Sequence, residues 1–528
     1  MTAPSPSSDA AWAVALQRAQ ALAAQGDLVG AYHRAADLRA RAPDFAPAGI
    51  FAAFLALRLG RYREARALAL AVAAQPVGAD GVLDAARLLK HLEAPEALAR
   101  MFAASGWRAL RAPQALAELA QILGFSGLYA QADDCLAQIL ALAPGDPDAL
   151  YLKGMFALFA GDDAVAAAAL RAALQVAPHM ANVHFLLSMQ DTPETAARHI
   201  EQILRVIHVA RPGSEARAMF EYALHQSHHA LGAYDEAWVA LERGHAVMRA
   251  AVPYDATAQR ALIEALKRRP LAAAPARSPL QGEAGSIFIV GMFRSGTSLL
   301  ERILAGHPEV ADGGETYQFS AALREAADRD SPEVVDSGLL AALPPDGLAG
   351  VRARMHDYAR WRGRGKRWVT EKLPLNFLNV GLIAEALPDA SLLHMQRDPV
   401  ATCFSNLRTL FRVGTPYACD QRRMAHYFGL YRELMAHWRA VLPSRVLDIA
   451  YADIVADPER EARRVMTHCG LAYVPGALER GQEGGNVATA SAAHARKGIL
   501  GGRSQVWKPY EKHLQPLLDG LRACGAIS

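Results

Sequence analysis

At 528 residues the chain is too long for one hydrophobic core, so two or three domains are expected. Its 52% hydrophobic and 21% charged residues are those of a folded soluble protein, and a formal net charge of +3 gives no support to bulk nucleic-acid or membrane-surface binding. Five scattered cysteines, Cys135, Cys403, Cys419, Cys469 and Cys524, contain no Cys-x-x-Cys pair and indicate neither a zinc site nor a disulfide framework, so free thiols in a reducing compartment are the simpler account.

The chain begins MTAPSPSSDAAWAV, without a basic segment leading into an apolar core, and no window offers 18 uninterrupted apolar residues. Neither a signal peptide nor a membrane span is expected. From residue 10 to 269 the sequence is rich in Ala and Leu at helical spacing. Pro43, Pro76, Pro144, Pro178 and Pro212 are separated by 33, 68, 34 and 34 residues, and Gly26 and Gly60, like Gly127 and Gly161, lie 34 apart. Phrases such as Leu59-Gly60-Arg61-Tyr62 and Leu231-Gly232-Ala233-Tyr234 fall between paired helices. A helix–turn–helix unit of that length resembles the tetratricopeptide repeat, which implies a superhelix with a concave groove for a peptide. The stretch from Leu110 to Leu119 fits the ruler poorly. Residues 270–284, rich in Pro and Ala, read as a linker into a second domain over 285–528.

That domain opens on SIFIVGMFRSGTSLLERILAGHPEVADGGE, residues 286–315. The apolar run Ile287–Val290 reads as a buried parallel strand and the run from Ser298 to Ala305 as an amphipathic helix. Between them Gly291, Ser295, Gly296, Thr297 and Ser298 form a loop whose backbone can turn on an anion at a helix N-terminus. Its Gly-x4-Gly frame is that of a phosphate loop, but Thr297 stands where a nucleoside triphosphatase carries Lys. Arg294 instead offers a planar fork.

These residues resemble the sulfotransferases that use 3′-phosphoadenosine 5′-phosphosulfate (PAPS), in which an Arg-Ser-Gly-Thr-Ser/Thr loop grips the 5′ phosphosulfate, here Arg294 to Ser298. The subgroup most similar is the tyrosylprotein sulfotransferases, through His307-Pro308 and Gly314-Glu315-Thr316. The resemblance implies that Glu315, 21 residues after Arg294, is the catalytic base; a helix-capping role is the alternative. Lys372, closing the strand Arg367–Lys372 before Pro374, matches the lysine that stabilises charge on the leaving oxygen. The strand Ser391–Gln396 runs into Arg397-Asp398-Pro399 and a helix carrying Ser405 and Arg408; Arg397 and Ser405 match the 3′-phosphate site, Arg408 more loosely. His394 reads as a satisfied core histidine. Tyr451, after the strand Val446–Ile449, either touches the nucleotide or supports its loop, and a core role is the alternative. In the basic, Gly-rich stretch 488–510, Ser491, Arg496 and Lys497 are the nearest matches to the family's C-terminal cofactor loop, and Trp507 and Tyr510 read as packing anchors. Residues 331–364 are the expected acceptor lid.

The expected architecture is therefore α + α/β: an all-α tetratricopeptide-type superhelix, then an α/β phosphate-loop domain with a central parallel sheet. The resemblance implies a PAPS-dependent sulfotransferase needing no metal, acting on a hydroxyl of a protein or peptide held by the repeat groove, protein tyrosine above all. A glycan, lipid or small-molecule acceptor is the first alternative; an inactive repeat scaffold and a phosphate-loop nucleotide kinase are the others. The family's anchored Golgi members differ from a chain of this kind, for which a bacterial, cytoplasmic setting fits better.

Overall fold

The computed structural model of the chain describes residues 6–271, 278, 280, 284–344, 348–411, 415–483 and 505–528. Most of the linker and all of Ser491, Arg496 and Lys497 lie outside the described residues.

The first half consists of helices arranged in consecutive pairs: α1 (Pro6–Ala24) and α2 (Leu28–Arg41), α3 (Ala46–Arg58) and α4 (Tyr62–Ala73), α5 (Val82–His91) and α6 (Pro95–Ala104), α7 (Pro113–Phe125) and α8 (Tyr129–Leu142), α9 (Pro147–Ala160) and α10 (Asp163–Val176), α11 (Ala181–Ser188) and α12 (Pro193–Val206), α13 (Glu215–Ala230) and α14 (Tyr234–Ala251), with α15 (Ala256–Arg268) closing the series. Where the turn within a pair must pass through left-handed backbone, the periodic glycines supply it: Gly60 has φ 75° and Gly127 φ 76°. The α5–α6 turn uses Glu93 (φ 49°) instead, and its helices are only 10 residues each. A 3₁₀ turn at Trp107–Ala109 then leads into α7. The left-handed positions Gly60, Glu93 and Gly127 keep spacings of 33 and 34 residues across this stretch, and Leu110–Leu119 runs from the end of the 3₁₀ turn into α7.

The described residues form two compact units. One takes the chain up to Lys153 together with Gln318–Pro332 and Gly338–Val351; the other takes Gly154–Tyr317, Glu333–Ser337 and Arg352–Ser528. In the first unit, α17 (Gln318–Ala327) and the residues after it lie on the early helices: Asp328 accepts from Arg63 N at 2.7 Å, Glu325 pairs with Arg66 at 3.2 Å and Asp330 with His91 at 2.8 Å. About half of residues 331–364, the expected lid, therefore belongs to the unit of the early helices rather than to that of the sheet.

The second unit holds the sheet. Its five strands, β1 (Gly285–Gly291), β2 (Val310–Ala311), β3 (Trp368–Glu371), β4 (Ser391–Gln396) and β5 (Val446–Ala450), are all parallel in the order β2-β3-β1-β4-β5. Every residue of β1 is buried, as its uninterrupted apolar run requires for a strand covered on both faces. The helix after it, α16 (Thr297–Ala305), sets Leu300, Ile303 and Leu304 against Ile287 and Ile289 in one core with Leu393, Ile449 and Val465. After β1 the chain goes to the edge strand β2, returns inward to β3 and then crosses to β4 and β5 on the other side, so β1 is the switch point at whose carboxyl end an open α/β sheet binds its ligand.

The helices α13–α15 are packed into this same unit. Lys267 of α15 pairs with Glu433 of the long helix α22 (Gln421–Val441) at 2.6 Å, and Asp235 of α14 pairs with Lys512 at 2.7 Å. A boundary of local structure near 269 is thus crossed by packing.

Candidate active site

Each strand of the sheet ends in one residue or loop that the sequence had singled out, and the strand order brings them side by side. Reading along the carboxyl edge, β2 leads to Glu315, β3 to Lys372, β1 to the Arg294–Ser298 loop, β4 to Arg397 and Ser405, and β5 to Tyr451.

The loop after β1 is tightly confined. A side-chain carbon on Gly291 (φ 150°) would lie 2.6 Å from Met395 O, and one on Gly296 (φ 107°) 2.7 Å from the Tyr451 ring. Arg294 itself sits at φ 69°, a left-handed conformation costing a non-glycine residue about 1 kcal/mol or more. Three contacts from the β4 side hold it there. Arg294 Nε donates to Ser405 Oγ at 3.0 Å, Arg397 Nη1 donates to Arg294 O at 3.2 Å, and Asn406 Nδ2 donates to Phe293 O at 2.7 Å. The sequence did not single out Asn406; its signal was its place one residue after Ser405 on α21 (Pro399–Leu407), the helix that Asp398 caps and Pro399 opens. Ser295 is 2% exposed and its Oγ has no hydrogen-bond partner among the described residues. A buried hydroxyl without a partner in a glycine loop at a helix N-terminus suits an oxyanion of a bound phosphate or sulfate. Thr297 and Ser298 occupy the first turn of α16, both buried.

Tyr451 begins α23 (Tyr451–Ala456) and is nearly buried in the core. The Arg397 guanidinium lies 5.0 Å from its ring centroid, so Tyr451 walls the loop and carries Arg397 at once. Arg408 goes elsewhere. At the C-cap of α21 it turns to α13, where Nε donates to His225 Nε2 at 3.1 Å and Nη2 to Gln226 Oε1 at 3.0 Å. The loose match of Arg408 to the 3′-phosphate site is thereby replaced by a packing role. His394 is a satisfied core residue, bonded to Asp448 Oδ1 at 2.6 Å and to the Tyr431 hydroxyl.

On the other side of β1, Lys372 is wholly buried and its ammonium donates to Glu315 Oε1 at 2.8 Å. The Glu315 side chain keeps 26% exposure, open enough for an acceptor to reach while tied to the lysine. Gly314 is held between them, its carbonyl accepting from Lys372 N at 3.0 Å and its amide donating to Glu301 Oε1 at 2.9 Å. Glu301 is the second residue that sequence reasoning missed. It stands four residues after Thr297 on α16, the same face of the helix, as a lone carboxylate within Leu299-Leu300-Glu301-Arg302-Ile303. Burial, the largest influence, pushes its carboxyl above the usual range, against the opposing pull of the Lys372 ammonium and the hydrogen bonds from Thr370 and Gly314.

Sequence comparison agrees with this arrangement. Residues 286–475 match the sulfotransferase family, so the C-terminal half carries a domain of that family. Over 332 residues the chain is 28% identical to an uncharacterized protein of Aquifex aeolicus, covering 58% of this chain and 42% of that one. A 116-residue stretch is 29% identical to the omega-hydroxy-beta-dihydromenaquinone-9 sulfotransferase of Mycobacterium tuberculosis, 20% of this chain and 30% of that protein. A 198-residue stretch is 25% identical to protein-tyrosine sulfotransferase 2 of Gallus gallus, 35% of this chain and 51% of the enzyme. The chain spans about half or less of the length of these relatives. Among the described residues no helix is long and apolar enough to cross a membrane.

Proposed function

We propose that the chain moves the sulfuryl group of PAPS to a hydroxyl of an acceptor, that the acceptor is a protein tyrosine, and that the helical array, read as tetratricopeptide-type repeats, binds the acceptor protein in the cytoplasm. The observation that carries the reading is the convergence of Arg294, Ser405 and Arg397 on one loop, with the Lys372–Glu315 pair one strand away. PAPS would supply the sulfuryl group, which leaves its phosphate as the acceptor oxygen bonds to sulfur. Ser295, Gly296, Thr297 and Ser298 with Arg294 would hold the 5′ end, and Arg397 and Ser405 the 3′ phosphate, a group ATP lacks. Ser491, Arg496 and Lys497 would complete that pocket. Glu315 would take the acceptor's proton, while the buried Lys372 ammonium meets the charge arriving on the leaving oxygen, an interaction stronger in the transition state than before it.

Protein tyrosine is favoured by the match to the Gallus gallus enzyme together with the helical pairs, a common peptide-binding architecture. A lipid or small-molecule alcohol is the second reading, favoured by the match to the menaquinone sulfotransferase. Incubation with sulfur-labelled PAPS and, in parallel, a tyrosine peptide library and a long-chain alcohol separates the two. Label on peptide supports the first and label on alcohol the second. Stabilisation by ATP with Mg²⁺ and not by 3′-phosphoadenosine 5′-phosphate (PAP), with no label transferred, would overturn both in favour of a nucleotide kinase.

A further inference from the structure

Lys372 lies between two carboxylates, and the proposed chemistry uses only one. Glu315 Oε1 is 2.8 Å from its Nζ and Glu301 Oε2 is 4.0 Å away. Glu301 does more than face the lysine. Its Oε1 accepts from Gly314 N at 2.9 Å and from Thr370 Oγ1 at 2.8 Å, and Thr370 Oγ1 in turn accepts from Gly313 N at 2.9 Å. The Gly313–Gly314 turn just before Glu315 is therefore tied to Glu301 directly through Gly314 N and indirectly through Thr370, besides the bond from Lys372 N to Gly314 O. The turn has no slack, since a side-chain carbon on Gly313 would lie 1.9 Å from Thr370 O.

We infer that Glu301 is a positioning residue, fixing the turn that carries Glu315 and giving Lys372 a second, buried counter-charge. The need for the second carboxylate follows from the reaction proposed above, on which this inference rests. When Glu315 accepts the acceptor's proton it becomes neutral and ceases to balance Lys372, at the moment the ammonium must be charged to meet the leaving oxygen. With Glu315 neutral, a fully buried ammonium would be left without any counter-charge if Glu301 were absent. Glu301 prevents this, because its carboxylate takes no part in the proton transfer. The groups that act on the site electrostatically are Glu301 on α16, Glu315 and Asp312 on the segment after β2, and Lys372 at the end of β3. Burial and Asp312 push the Glu301 carboxyl above its ordinary range, and the Lys372 ammonium with the hydrogen bonds from Thr370 and Gly314 opposes them, so it is the pairing with Lys372 that favours the ionised form.

The experiment has one kinetic and one non-kinetic arm. Glu301→Gln keeps an oxygen for Gly314 and Thr370 but removes the charge. It is expected to lower kcat for PAPS-dependent transfer about tenfold or more while leaving PAP affinity within about threefold. An unchanged kcat, or equal losses of kcat and PAP affinity, overturns the counter-charge role. The second arm compares melting of Lys372→Met with Glu301→Gln/Lys372→Met. The double variant, which leaves no unbalanced buried carboxylate, is expected to melt higher than Lys372→Met alone; melting at or below it overturns the inference. This arm needs no catalysis and does not require the Glu301→Gln single variant to fold. If the wild-type chain transfers no sulfuryl group from PAPS, the functional reading fails while the melting comparison still decides the role of Glu301.

Discussion

On the β2–β3 side of the sheet's carboxyl edge a fully buried ammonium sits between two carboxylates, Glu315 and Glu301. On the β4–β5 side Arg397 lies over the Tyr451 ring, Ser405 takes a hydrogen bond from Arg294, and the carboxylate of Asp398 is used by the helix it caps. The first side pairs its cation with carboxylates; the second presents guanidinium and hydroxyl groups of the kind that bind phosphate. A group that must hold its charge state through a reaction benefits from a fixed counter-charge, whereas guanidinium donors are suited to recognising a phosphate. The division predicts that substitutions on the first side depress turnover and those on the second side depress nucleotide affinity.

The largest effect is expected at Lys372. Lys372→Met should cut kcat about 10²–10³-fold, the usual loss for a donor aimed at developing charge, with PAP affinity within about threefold. It should also cost roughly 3 kcal/mol of stability, because Glu301 stays buried without its cation. Steady-state kinetics, PAP titration and denaturant unfolding read the three quantities. Equal losses of turnover and PAP affinity would erase the division. Glu315→Gln comes next, with a fall in kcat of about 10²-fold and PAP binding retained, as for removal of a general base. Because Glu315 is partly exposed, its stability should change less than that of Lys372→Met.

Arg397→Ala tests the other side. A charge-assisted contact to phosphate contributes about 1.5–3 kcal/mol, so PAP should bind roughly 10- to 100-fold more weakly, with kcat at saturation changed only a few-fold. Arg294→Ala should weaken binding by a similar factor and also free Ser405 Oγ, losing the bond that ties the loop to α21. A collapse of kcat at saturating nucleotide in Arg397→Ala would show that the β4–β5 side takes part in the chemistry.

How much of this was legible beforehand depends on how local the cause is. The strand Ser391–Gln396 was readable to the residue, because an apolar run ending in Arg-Asp-Pro fixes both the strand end and the helix cap within a few positions. The glycine turn after β1 was readable for the same reason, its glycines being required by backbone geometry alone. Glu301 and Asn406 were not singled out, although both lie within a few residues of recognised motifs. Their roles depend on Gly314 and Phe293, 13 residues away in one case and 113 in the other, and spacing along the chain says nothing about partners brought together by the sheet. Arg408 shows the converse. Its place on the Ser405 helix suggested the phosphate, and only the packing of α13 reveals that the guanidinium faces His225 and Gln226.

That last contact supplies the smallest prediction. His225 Nδ1 donates to Ala237 O at 2.8 Å and Nε2 accepts from Arg408, so the ring is held neutral; burial, then the Arg408 guanidinium, keep its pKa well below the ordinary imidazole value of 6.5. Between the folded and unfolded pKa values the unfolded chain binds more protons, so this group's contribution is complete above pH 6.5 and is lost as pH falls toward the folded value. Buried His184, whose pKa is lowered to about 4, adds to acid instability by the same logic, so the wild-type curve alone does not isolate His225. His225→Gln keeps an acceptor for Arg408 but does not titrate. The drop in melting temperature from pH 7.5 to pH 5.5 should therefore be smaller in the variant, by about 2–4 °C if roughly 1 kcal/mol is involved. Since Arg408 caps the helix that bears Ser405, PAP affinity should show the same flattening. A pH response of melting that flattens without any change in that of PAP affinity would confine the α13 contact to stability and leave the β4–β5 side independent of the helical array.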